Sequence, residues 1–316
     1  MAATEAERAA SLDAIRERLA EEVAPPRQRV RSGELSQRDF DPLLEEAFRR
    51  AEERAATDGV APWELYSSIL GDRSMHWADR RLAANRLHDP AVVPASAAPR
   101  IAPVIEAVLL DPQTRYNLML HTVMAASIVR ARDPVSALYP VPRETIDAAV
   151  VPYVEQGLPG GNGYEEQMRN LRHSMHLLAT VARLATIHPD AAGTSGARGT
   201  SYASLLAGQL DRVITLYEAN REAMISPDVL AAEPAGPDAR EIDFEPMHLM
   251  EHLAEAMEEV ARSSDARLVG LVAGRDVAAT FERLEAVSRS FGRTPARIEE
   301  YRGQVASFRA AVDSLG

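Results

Sequence analysis

The chain contains no cysteine. That removes a disulfide framework, an iron–sulfur cluster, a thiolate-ligated heme and a cysteine nucleophile. Lysine is missing as well, since all 35 basic residues are arginine. A lysine Schiff base, a pyridoxal phosphate anchor and the lysine of a P-loop are therefore excluded. No apolar run approaches the ~18 residues of a membrane-crossing helix. The first 22 residues have neither the apolar centre nor the cleavage site of a secretory signal. These absences predict a soluble, cytoplasmic protein whose polar chemistry runs on histidine, arginine and carboxylates.

What is present is ordinary globular material. The 316 residues are 46% hydrophobic and 26% charged, enough for a core that encloses a cofactor. The net charge of -12 repels nucleic acid phosphate and anionic lipid, so neither nucleic acid nor membrane is an expected partner. It does not forbid a local basic pocket for a carboxylate.

The hydrophobic pattern is helical almost throughout. Leu12, Ile15, Leu19 and Val23 recur at spacings of three and four, which gives a helix over 3–23 ended by Pro25 and Pro26. Further helices are expected near 39–56, 62–70, 74–88, 102–110, 112–132, 144–156, 165–187, 202–225, 244–263, 274–291 and 294–314. The Gly/Pro-rich stretches 157–163, 188–201 and 226–243 separate them. There is no internal repeat and no persuasive strand pair. The expectation is one large all-α domain spanning 1–316, with the first helix as a possible arm. The acidic outer faces are compatible with a monomer or a homodimer.

Eight histidines are few enough to weigh singly. Two lie on the 165–187 helix. On a wheel of about 100° per residue, His176 shares a face with Arg169, Arg172 and Arg183, an arginine face suited to carboxylates. His173 lies at the edge of the apolar stripe, better placed to reach inward. The stretch after this helix, Gly193-Thr-Ser-Gly196-Ala-Arg-Gly-Thr-Ser201, puts small residues and hydroxyls ahead of the next helix. Exposed backbone N–H groups there can hold a carboxylate, and Arg198 adds a charge-assisted bond. Upstream, Trp77, Arg81, Ala84 and His88 recur at four, three and four and share one helical face. That face presents an aromatic wall, a cation and a base near neutrality. His88 near a helix end also simply favours the dipole. His76 is the alternative base. His121 sits in an apolar helix and reads as a satisfied core residue, while His188 precedes Pro189 and reads as loop structure.

Arg172-His173, the remainder of that helix, the Gly/Thr/Ser stretch and Tyr202 together resemble a motif of the tryptophan 2,3-dioxygenase superfamily. In that family a helix supplies the proximal histidine to heme, and a Gly-Thr-Gly-Gly-Ser-Ser-Gly-type loop followed by Tyr-Leu covers the substrate. The resemblance spans about residues 168–206. The chain lacks the His-Gln-x-Tyr-Glu-Leu-Trp-Phe segment of the tryptophan-cleaving enzymes. It is more similar to the bacterial heme-dependent aromatic oxygenases, notably the L-tyrosine 3-hydroxylases of natural-product pathways. The resemblance implies a tryptophan 2,3-dioxygenase-like helical bundle and a b-type heme. The oxidant is hydrogen peroxide or dioxygen, and L-tyrosine, or a close aromatic amino acid, is converted to a catechol such as L-DOPA. It further implies His173 as axial metal ligand, with His176 as alternative and Arg172 nearby on the cofactor. His88 is the distal base, assisted by Arg81 and with Trp77 beside the substrate. Thr194, Ser195, Arg198, Thr200 and Ser201 form the amino-acid clamp.

A second chemistry lies in Glu245-Pro-Met-His248-Leu-Met-Glu-His252. A Glu three residues before a His is half of a carboxylate-bridged di-iron site, and His248 and His252 at i, i+4 can share a metal. The second Glu-x-x-His that such a site needs is not in the chain. A third possibility is a non-enzymatic helical protein that docks a partner through its amphipathic C-terminal helices.

Overall fold

In the computed structural model the described residues are 4–89, 91–127, 129–130, 133–137, 139–156, 164–188, 201–225, 245–263, 265–292 and 294–315. They form an all-α fold of thirteen helices with one short strand pair. The helices are α1 (Glu5–Arg31), α2 (Gln37–Thr57), α3 (Pro62–Gly71), α4 (Trp77–Leu87), α5 (Ala98–Leu110), α6 (Tyr116–Ala126) and α7 (Arg143–Gln156). After these come α8 (Tyr164–Ile187), α9 (Tyr202–Met224), α10 (Glu245–Ala261), α11 (Ala266–Ala273), α12 (Val277–Ser290) and α13 (Ile298–Asp313). Strands β1 (Val129–Arg130) and β2 (Asp133–Ala137) pair antiparallel between α6 and α7. The chain divides into two compact units, 1–128 with 138–146 and 129–137 with 147–316.

The first unit begins with an antiparallel α1–α2 pair. Ile15, Leu19 and Val23 of α1 and Leu44, Phe48 and Ala51 of α2 are buried. Gly33, at φ 77°, makes the turn: its N–H bonds the Val30 carbonyl at 3.1 Å while Glu34 bonds Arg29 at 2.8 Å. Ser36 then caps α2 by accepting from the Asp39 N–H at 3.1 Å. Contrary to the sequence expectation, α1 runs through Pro25 and Pro26 to Arg31. The carbonyls these prolines release belong to Glu21 and Glu22, at positions solvent reaches. The turn beyond is anchored by Arg27, which pairs with Asp79, a carboxylate only 1% exposed. On α4, Arg80 Nε donates to the Leu70 carbonyl at 2.8 Å, satisfying the end of α3. At the far end of α4, Tyr139 Oη donates to the Leu87 carbonyl at 2.5 Å. Helix α4 packs on α3 and on α6.

The second unit is built around α8, which packs on both α9 and α10. Gln209 Nε2 donates to the Ser174 carbonyl at 3.0 Å and Asn220 Nδ2 to Gln167 Oε1 at 2.6 Å, so α9 runs antiparallel to α8. Arg183 donates to Glu259 through Nε at 3.0 Å and Nη2 at 2.5 Å, and the Thr186 hydroxyl bonds the Glu259 carbonyl at 3.1 Å. These bonds tie α8 to α10, whose outer side packs on α12 and α13. Where the sequence suggested one helix over 274–291, a separate α11 precedes it, capped by Asp265. Asp276, left-handed at φ 51°, breaks the chain between α11 and α12.

Candidate functional site

Trp77, Arg81 and His88 belong to the first unit, and Arg172, His173, His176 and Ser201 to the second. In the second unit, α8 separates its two histidines sharply. His173 is 6% exposed, whereas His176 lies on the exposed side with Arg172. Burial, reinforced by the Arg212 charge from α9, pushes the His173 imidazole down to about 4. It is a neutral ring across the physiological range. Leu177, Leu178, Val181 and Leu184 continue the buried face beyond it. His176 instead meets His252 of α10 edge to face, with ring centroids 4.9 Å apart. Arg183, grouped with the arginine face from the sequence, is paired with the buried Glu259 carboxylate.

Ser201 caps α9, its hydroxyl accepting from the Ser204 N–H at 3.2 Å. Tyr202, next in the chain, is buried and donates its hydroxyl to the buried Asp147 carboxylate of α7. His188, just past α8, stacks on the Tyr202 ring at 6.0 Å. The two ends of the Gly/Thr/Ser stretch thus meet through an imidazole and a phenol. Thr194, Ser195, Arg198 and Thr200 lie outside the described residues.

In the first unit, the ring of Trp77 at the start of α4 is flanked by two guanidinium groups. Arg81 lies 5.9 Å and Arg115 5.5 Å from its centroid. His76 caps α4, its Nδ1 accepting from the Ala78 N–H at 3.2 Å. Burial first, then Arg27, Arg31 and Arg115, push it down to about 4. His88 is the C-terminal cap residue of α4 and half-buried. His121, on α6, departs from the satisfied core residue expected: its Nδ1 is buried and makes no hydrogen bond. Burial, Arg81 and His88 together hold that ring down to about 4. Arg115 and His121 were not legible as site residues, because only the packing of α6 on α4 brings them to Trp77 and Arg81.

The Glu245–His252 run divides differently. His248 lines a small cavity of about 150 Å³ with Glu251, Arg297 and Tyr301, while His252 Nδ1 lies 3.2 Å from Glu255. The Glu245 side chain is outside the described residues. Among those that are described, no three His, Asp or Glu residues are grouped to hold a metal ion. No described helix is long and apolar enough to cross a membrane. Comparison with known proteins finds no match: no family model, no curated protein and no solved structure corresponds to this chain.

Proposed function

We propose that the chain is a heme-dependent oxygenase acting on the ring of an aromatic amino acid such as L-tyrosine, with His173 as the axial ligand of a b-type heme. The observation that carries this reading is the contrast between the two α8 imidazoles. An axial ligand must be neutral and must face inward, because a protonated ring has no lone pair for iron. His173 is buried and held neutral, and His176 is turned to the exposed side. The donor chemistry suits the group: one neutral imidazole, and a guanidinium, Arg212, close enough to act on it and of the kind that pairs with a propionate. The heme, when bound, would supply the oxidation of the ring by peroxide or dioxygen.

The chain's own part is to position and exclude. Helix α8 is held on both sides, by Gln209 from α9 and Glu259 from α10, so the His173 ring has a fixed backbone beneath it. A low proton affinity means that iron meets no competition from protons until the pH approaches 4. The resemblance of Arg172-His173 and the following Gly/Thr/Ser stretch to the heme-dependent tyrosine hydroxylases points to the substrate class. Hemin titration of the purified chain tests the reading, followed by incubation with L-tyrosine and hydrogen peroxide and mass spectrometry for a product one oxygen heavier. Heme uptake with catechol formation supports it, and heme uptake without ring oxidation removes the tyrosine hydroxylase assignment.

A further inference from the structure

Three helices of the first unit leave a cleft of about 750 Å³ between them, the size of a small-molecule site. On α1, Arg8, Ala9 and Leu12 follow Glu5 at three, four and seven and share one face. Trp63 and Glu64 line the cleft from α3, and Arg100 and Val104, four apart, line it from α5. Helix α3 packs on both α1 and α5 and so holds the walls together. Leu12, Trp63 and Val104 are only half-buried, so an apolar body laid in the cleft would take their remaining surface out of water.

The donors of this cleft are unused. Glu64 Oε2 accepts from the Ala61 N–H at 3.0 Å, which caps α3. Its Oε1 lies 3.9 Å from Arg8 Nη1 and 3.7 Å from Arg100 Nη2, beyond hydrogen-bond length on either side. Neither guanidinium hydrogen-bonds to any other described residue, and Arg8 Nε is buried and makes no hydrogen bond. One carboxylate oxygen thus draws two cations together without satisfying their N–H groups. Arg8, Arg100 and Glu64 carry one net positive charge, and Glu5 stands exposed at the rim, where water and salt screen it. The Trp63 ring has the Arg100 guanidinium over it at 4.8 Å, and the rest of the apolar lining is aliphatic.

We propose that this cleft binds an aliphatic monocarboxylic acid of medium chain length. Arg8 and Arg100 take the carboxylate, whose single charge matches the net charge they leave beside Glu64. Ala9, Leu12 and Val104 take the alkyl chain. A dianion such as phosphate would be repelled more strongly by Glu64 and would leave the aliphatic wall unused. An aromatic acid would find Arg100 already over the one indole of the cleft. The site lies in the first unit, whereas His173 belongs to the second, and it does not rest on heme binding.

The experiment is a fluorescence titration of heme-free, full-length Trp77→Phe protein, in which Trp63 is the sole indole and reports on the cleft. Octanoate, butanoate, 1-octanol and inorganic phosphate are the probes, and calorimetry on the unsubstituted chain repeats each affinity. Octanoate is expected to change Trp63 emission saturably. 1-Octanol, which has the chain without the charge, should bind about tenfold or more weakly, the scale of one charge-assisted hydrogen bond. Butanoate, four methylenes shorter, should also bind about tenfold or more weakly, because it leaves the aliphatic wall uncovered. Arg100→Gln, at an exposed position, should weaken octanoate by a similar factor, leave 1-octanol unchanged and keep the melting temperature. 1-Octanol binding as tightly as octanoate, butanoate binding as tightly as octanoate, displacement by phosphate at equal concentration, or no saturable change would each overturn the proposal. Hemin uptake, measured separately, decides the heme reading whichever way this titration falls.

Discussion

The buried neutral His173 makes a quantitative prediction about acid. An unfolded histidine titrates near ~6.5, whereas the folded His173 is pushed down to about 4. Between these values the unfolded chain binds the proton and the folded chain refuses it. Stability therefore rises with pH through this window and is lost as pH falls from 6.5 toward 4. Over the full window of roughly 2.5 units the loss is about 3 kcal/mol, of which about 2 kcal/mol is already gone at pH 5. At 6% exposure the ring has little solvent to screen this cost. His173→Leu fills a similar volume and cannot titrate. Urea unfolding at pH 7 and pH 5, read by hydrogen exchange of the α8 peptides, isolates the second unit from the histidines of the first. The parent chain should lose about 2 kcal/mol more than His173→Leu between the two pH values, the carboxylates being common to both. Equal losses would refute the claim that His173 is a buried neutral base, and with it the basis for choosing it as ligand.

Other consequences are structural. Arg27→Met strands the Asp79 carboxylate, 1% exposed, and should destabilise the first unit by roughly 3–5 kcal/mol in urea melts, partly recovered in Arg27→Met/Asp79→Asn. Tyr202→Phe removes the donor to buried Asp147 and should cost about 2 kcal/mol, with earlier exchange of the first turn of α9. Gly33→Ala, at φ 77°, should cost about 1 kcal/mol by thermal melting although nothing stands in the way of the added methyl, because the strain is in the backbone alone.

The helices themselves were plain from the spacing of apolar residues, since period 3.6 leaves a trace in every segment that buries one face. Their boundaries were less plain. Pro25 and Pro26 read as a stop because local chemistry says so, and the override comes from the Arg27–Asp79 pair, two residues 52 apart in sequence. The eight-residue α11 was missed because two turns leave too short an apolar pattern to tell from a loop. The site was legible only in part. The wheel placed His173 nearer the interior than His176, and the burial of the two rings follows that order. It also put Trp77, Arg81 and His88 on one face. It misjudged His121, because an unsatisfied ring nitrogen is a property of α6 packing on α4. The wheel placed Arg183 on the arginine face but could not show its partner Glu259, 76 residues away.

The most direct test of the account is an absorption spectrum of the purified chain titrated with hemin. A Soret band should develop and saturate at one heme per chain, persist in His176→Ala, vanish in His173→Ala and return when imidazole is added to that variant. A chain that takes up no heme, or whose spectrum is the same with and without His173, contradicts the proposed ligand and the oxygenase built on it.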